Sequence, residues 1–332
     1  MIKLKRIKQI IKEDKVFIIT LVLIILLFNI HLPYYISIGG GTIDISNRIK
    51  TNDNKSINGS LNLLYVSELE ATVPTYLLSF LMKEWEVEKV SDQRLSNEST
   101  EEIYERNRIM LNNSIQNATF VAYNKAGKNI DIKDYKNYVI GTTKDLDIKI
   151  GDNITEVDGK KVNNIKEIKE IITSHEVGDT IDIKLLRENK EKTVSVKVNE
   201  ENNNKIIGIV VTTIYDYDLD PSIKLKFKKS ESGSSGGLML ALSIYDMITD
   251  ADLINGRKIA GTGTIDIDGN VGEIDGIKYK LMGAVKKKMD IVLVPKANYE
   301  EAIKEKKKNN YDIDIVSIEK FDDAIEYLSK EN

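Results

Sequence analysis

Lys229–Leu240 reads K-S-E-S-G-S-S-G-G-L-M-L. The strand-like run IKLKFKK (223–229) ends there, a Gly/Ser loop follows, and the apolar helix LMLALSIYDMI (238–248) begins near Gly237. The first amides of a helix lack internal partners and carry the positive end of the macrodipole. A hydroxyl held at that end has a ready oxyanion site in backbone N–H groups. Ser235 is the candidate nucleophile, Ser234 a second hydroxyl one residue away, and the amides from Gly233 to Ser235 are candidate oxyanion donors. Without a base, G-S-S-G-G reads equally well as a flexible turn.

Downstream of the loop, strands and helices alternate. KIAGTGTIDIDGNVGEI reads as a hairpin turning at Asp268-Gly269, IVLVP and DIDIVSI as strands, and IKYKLMGAVKKKM, YEEAIKEKKK and FDDAIEYLSK as helices. Residues 201–332 are therefore expected to form an α/β unit. Upstream, residues 118–200 carry I-x-I-G-D-x-I-x-x-V-D-G at Ile148–Gly159, then the amphipathic NNIKEIKEIITS and the two strands IDIKLLREN and KTVSVKVNE. Gly-Asp turns the chain into a strand, and Asp-Gly suits a tight hairpin turn. Residues 39–117 hold a polar connector over Ile43–Asn58, a strand over Leu61–Leu69, a helix over Val73–Trp85 and a charged helix over Glu101–Gln116 that is expected to face solvent.

At the N-terminus Lys3, Lys5, Arg6, Lys8, Lys12 and Lys15 precede VFIITLVLIILLFNI (16–30). Continued to Ile38, the stretch gives about 23 residues, enough to cross ~30 Å of hydrocarbon as a helix. Basic residues before it and Tyr34 and Tyr35 after it predict residues 1–15 as a cytoplasmic tail and 16–38 as an uncleaved transmembrane helix in the lipid bilayer. The rest of the chain is then extracytoplasmic. A cleaved leader would need a small-residue site, yet the first alanine is Ala71.

Composition narrows the chemistry. The 332 residues suit roughly two domains, and a net charge of −4 offers no basic footprint for nucleic acid. No cysteine is present, which removes thiol nucleophiles and thiolate metal sites, and neither metal nor cofactor is expected. Neither a Walker-type nor a G-x-G-x-x-G motif is present, so nothing indicates nucleotide use. G-S-S-G-G invites a trypsin-like triad, but the two histidines are His31 at the membrane and His175 in a loop after the upstream unit's helix, expected to be solvated. A triad needs its His in the protease domain, so that reading fails. An acidic pair for sugar chemistry is a further reading, but turn chemistry accounts for Asp268 beside Asp266. A lysine made neutral by burial can also serve a serine.

Gly261–Ala284, G-T-G-T-I-D-I-D-G-N-V-G-E-I-D-G-I-K-Y-K-L-M-G-A, resembles the proteolytic domain of Lon proteases. Together with GSSGGLMLALSIYD, the upstream string, which resembles a circularly permuted bacterial PDZ domain, and the apolar N-terminus, the chain is similar to membrane-anchored, PDZ-containing Lon-like proteases of Gram-positive bacteria. The resemblance implies an α/β (α+β) Lon-type domain preceded by a small, mostly β PDZ domain. It implies an ATP-independent serine endopeptidase with a Ser-Lys dyad, Ser235 and Lys280, and Thr262 orienting the lysine. Lys280 is favoured over Lys278 by the pattern Gly276-Ile277-Lys278-Tyr279-Lys280. Substrates are expected to be small secreted or membrane-associated peptides or proteins, held at a PDZ strand edge beside Tyr138, Val139, Ile140 and Gly141. Lon-type domains often form rings, and the oligomeric state stays open. Ser234 and Gly236 stand where the family has proline and alanine, which keeps a catalytically inactive PDZ scaffold as the alternative.

Overall fold

Pro33 stops the apolar N-terminal helix early. The computed structural model describes residues 14–51, 58–93, 98–143 and 146–330; the basic run from Lys3 to Lys12 lies outside them. Helix α1 (Lys15–Asn29) ends where the Asn29 side chain donates to the Ile25 carbonyl, 2.7 Å, and strand β1 (His31–Asp44) begins. A proline lacks the N–H a helix needs and holds its predecessor extended. The expected helix over 16–38 is thus corrected: its last eight residues are strand, and no described helix is long and apolar enough to cross a membrane.

The chain divides into two compact units, Met1–Gly39 with Val66–Gln93 and Gly40–Tyr65 with Arg94–Asn332. After β1 come a 3-10 turn at Ile45–Asn47, β2 (Ile49–Thr51), β3 (Ser60–Thr72), α2 (Val73–Ser79) and β4 (Glu86–Lys89). In the first unit, β4 pairs antiparallel with β1 over Tyr34–Ser37. Helix α2 starts where the sequence places it, with Thr72 and Thr75 capping one another and Pro74 in its first turn.

The second unit carries the remaining elements. The polar connector expected after Ile43 is instead built in: Ile45 and Ile49 are buried. Helix α3 (Thr100–Lys125) starts with a Ser99/Glu102 capping box. It absorbs Ala118–Tyr123, expected in the unit that follows, and buries most of its C-terminal half, so it does not simply face solvent.

A six-stranded antiparallel sheet follows: β5 (Asn129–Thr142), β6 (Asn153–Val157), β7 (Lys160–Lys161), β8 (Thr180–Arg187), β9 (Lys190–Lys197) and, after the small hairpin of β10 (Asn199–Glu201) and β11 (Asn204–Ile206), β12 (Ile209–Asp220). Its order is β12-β5-β6-β8-β9, with β7 on β6. Helix α4 (Ile165–Ser174) covers it with Ile168 and Ile172, over a core that includes Val139, Ile154, Ile183 and Leu185. The motif Asp152 is buried; Arg187 grips it with two bonds of 2.8 Å, and it accepts the Lys149 amide at 2.8 Å.

After β13 (Ile223–Leu225), which pairs with β2, come α5 (Gly237–Ile248), β14 (Lys258–Gly261), the hairpin β15 (Thr264–Ile265) and β16 (Val271–Gly272), α6 (Ile277–Lys286), β17 (Ile291–Pro295), α7 (Tyr299–Asn309), β18 (Asp314–Ile318) and α8 (Phe321–Lys330). Strands β18, β17, β14 and β3 lie parallel in that order, with β1 beside β3. Leu238, Met239, Leu242 and Ile244 of α5 are fully buried, so the helix after the Ser/Gly loop is a rigid core element.

Candidate active site

The Ser235 loop is held from two sides. Gly233 has φ +87°, a region a side chain strains, and its amide donates to the Asn107 carbonyl of α3, 3.1 Å. The Ser234 carbonyl accepts from the Ser114 hydroxyl at 3.0 Å and from the Gly237 amide at 3.3 Å. The Ser235 carbonyl accepts from the Gly263 amide at 2.8 Å and the Thr262 hydroxyl at 3.0 Å. At Gly237 a Cβ would meet the Ile265 backbone nitrogen at 2.9 Å, so glycine lets α5 start directly against β15. Glu231 secures the approach to the loop: it accepts the Lys228 amide at 2.7 Å and pairs with Arg48.

Ser234 and Ser235 are half-buried. Among the described residues, the amides of Ser234, Ser235 and Gly236 donate to no protein acceptor. The expected role of the Gly233 amide is corrected here, because Asn107 already takes its hydrogen. The unspent donors are shifted one residue toward α5.

Thr262 is fully buried, and its amide donates to Leu293 at 3.0 Å. Its hydroxyl hydrogen goes to Ser235, which leaves oxygen lone pairs for another donor. Lys280 lies on α6 with 3% of its surface exposed. Lys278 is half-exposed, its ammonium 4.8 Å above the Tyr279 ring. Burial thus separates two lysines that helical periodicity leaves equivalent. Hydrogen bonds join Ser235 to Thr262 directly and Ser234 to Ser114.

Tyr138 and Val139 do not lie at a free strand edge. Tyr138 pairs with Thr212 on one side and Asn153 on the other, Val139 pairs with Val211, and Gly141 with Val210. Tyr138 is thus paired on both sides, and Val139 also bonds the Asp152 carbonyl and the Gly151 amide on its far side; the outermost strand of the sheet there is β12. Part of that edge is covered: the Gln116 side chain of α3 donates to the Thr213 carbonyl, 3.1 Å, and accepts the Tyr215 amide, 2.7 Å. Ile209–Val211 precede this clamp, with Val210 56% exposed.

The other candidates are structural. His175 is not a solvated loop residue; it closes α4, one ring nitrogen 2.9 Å from the Ile171 carbonyl and the other 3.2 Å from Asp158. The Asp266 carboxylate accepts the amides of Asp268 and Asn270, which is turn chemistry. What the sequence reading missed is the bracing role of α3, which it expected to face solvent. Asn113 donates to Thr212, Asn117 to the Ile265 carbonyl, and Ser114 and Gln116 act as above. The signal was present: N-N-S-I-Q-N inside a helix uses residues that favour caps and turns unless their side chains find partners.

Residues 228–330 match the model of the Lon protease (S16) C-terminal proteolytic domain, and residues 141–198 that of the PDZ domain. The chain therefore combines a PDZ domain with a Lon-type proteolytic domain in a mixed α/β structure. It is 32% identical over 98 residues to the Lon protease of Campylobacter jejuni, covering 29% of this chain and 12% of that one. It is 33% identical over 93 residues to the serine protease Do-like HtrA of Lactobacillus helveticus, covering 28% of this chain and 19% of that one. Both matches thus span under a fifth of the relative's length. Among solved structures, the PDZ domain of the SdrC-like protein from Listeria monocytogenes is 28% identical, covering 23% of this chain and 85% of that one, with a TM-score of 0.22.

Proposed function

We propose that the chain is an ATP-independent serine endopeptidase, anchored in a membrane by its N-terminal apolar segment and acting on the outer face. The reading is carried by the Ser235 loop: a hydroxyl at the mouth of α5, its carbonyl tied to Thr262, with three unspent amides beside it, in a segment that matches a Lon-type proteolytic domain.

Lys280 is the general base. Burial disfavours the charged ammonium, so the neutral amine takes the Ser235 Oγ proton as Oγ attacks the scissile carbonyl. The Ser234, Ser235 and Gly236 amides stabilise the resulting oxyanion. The C–N bond breaks as Lys280 returns the proton to the leaving amine, and water hydrolyses the acyl-enzyme with Lys280 again as base. Thr262 has lone pairs left to accept an N–H of Lys280, which aims the amine's own lone pair at Ser235.

Anchoring rests on α1, whose apolar side chains are exposed on every face, with Val16 at 79% and Phe17 at 68%. A helix apolar all round needs an apolar solvent. Without an ATP-driven unfoldase, substrates are extended peptides or short proteins near the membrane. The β12 edge at Ile209–Val211 holds them by strand addition, and tethering raises their effective concentration.

A fluorophosphonate probe tests the site. Covalent labelling is expected on the parent chain, lost in Ser235→Ala, with peptide cleavage lowered by about 10³-fold or more in Ser235→Ala and Lys280→Ala. Lys278→Ala should cleave near the parent rate; abolished cleavage there would move the base to Lys278. Absence of both labelling and cleavage in the parent chain would leave the PDZ scaffold.

A further inference from the structure

We propose that α2 and the turn after it rest in the outer leaflet, beside the point where α1 leaves the bilayer, so that the anchor is a short helix plus an interfacial foot. The proposal rests on the membrane reading of α1 given above.

Two observations in the first unit meet here. Helix α1 has fifteen residues, about 22 Å at ~1.5 Å per residue, against about 30 Å of hydrocarbon. In the same unit, Leu77, Leu78, Phe80, Leu81 and Met82 expose 61%, 43%, 73%, 78% and 41% of their surface. Single exposed leucines need no explanation, but five apolar side chains within six residues form a patch that water does not favour.

The strands put the two features at one end of the unit. Strand β1 starts just after α1, and α2 starts directly after β3. His31 at the start of β1 pairs with Glu70 near the end of β3, 3.0 Å, and the Tyr34 and Tyr76 rings lie 5.1 Å apart. Helices α1 and α2 touch. The apolar patch therefore stands level with the C-terminal end of α1. Tyr76 packs edge-on against Phe80, 5.4 Å between ring centres, and Lys83 and Trp85 follow the patch. Apolar side chains backed by Tyr, Trp and Lys are what the boundary between acyl chains and headgroups accommodates. Continuity with a helix apolar on every face points to lipid as the occupant. An anchor too short to span the hydrocarbon gains the missing contact from this second element.

The sequence contains no cysteine and one tryptophan, which makes the test direct. The full chain is reconstituted into vesicles of phosphatidylcholine and phosphatidylglycerol, and Phe80→Cys, Leu81→Cys and the surface control Lys133→Cys are treated with a membrane-impermeant maleimide. Phe80→Cys and Leu81→Cys are expected to react at least about tenfold more slowly than the control, and Trp85 emission to be quenched by lipids brominated near the headgroup. If the chain floats with the vesicles but both positions react at the control rate, the foot is wrong and the anchor stands. If the chain does not float, the membrane reading falls and the foot with it. Protection that disappears when the chain is diluted in excess lipid would assign the patch to a second copy and overturn the proposal.

Discussion

Ser114 and Asn107 hold the Ser235 loop without belonging to it. Ser114 donates to the Ser234 carbonyl, and the Asn107 carbonyl takes the Gly233 amide. Ser114→Ala should cost about 1 kcal/mol of stability and lower kcat by roughly tenfold with KM nearly unchanged, because it removes positioning rather than binding; steady-state kinetics on a short peptide separate the two. Asn107→Ala should change neither much, since the main chain supplies that acceptor. This explains why Asn107 was illegible in the sequence while the Ser/Gly loop was plain: a carbonyl carries no residue signature, whereas a loop before an apolar helix does. Helical periodicity left two lysines, and only the motif register favoured Lys280. Burial, which depends on every neighbour, distinguished it from Lys278.

Helix α3 carries the largest difference between expectation and structure. Its first turns are charged, yet its later polar residues bind β12, the hairpin at Ile265 and the Ser235 loop. Gln116→Leu would leave the Thr213 carbonyl and the Tyr215 amide without their partner, and should cost about 1–3 kcal/mol in denaturant unfolding. In the PDZ sheet, Arg187→Ala would strand the buried Asp152 carboxylate and should cost about 3 kcal/mol or more by the same measurement. Lys192 and Arg187 also hold the Asp147 carboxyl below the usual carboxylate range. Its contribution is therefore complete at neutral pH and is lost as pH falls through that lowered value. The melting temperature should hold from pH 7 to about 5 and fall below about 4, less steeply in Asp147→Asn. Most strands of this sheet were readable from alternation, but its outermost one was not: Ile209–Asp220 falls in the stretch 201–332 expected to belong to the α/β unit, and only its pairing with β5 places β12 in this sheet, at the edge.

For the complete chain, peptide cleavage should be unchanged by ATP and Mg²⁺, and a stably folded protein should resist until it is denatured; both are read by product analysis on gels and by mass. The sequence determined the order of the parts: an apolar N-terminus, a PDZ string, then an α/β unit opened by a Ser/Gly loop. Those are properties of local pattern, since periodicity, turn residues and motif spacing act over a few neighbours. The tertiary structure decided which strand is the edge. It also decided that α3 braces the Ser235 loop and which amides remain unspent beside it. Each depends on hydrogen bonds between residues far apart in the chain, 120 positions for Ser114 and Ser234 and 27 for Thr262 and Ser235, and no local pattern encodes which donor meets which acceptor.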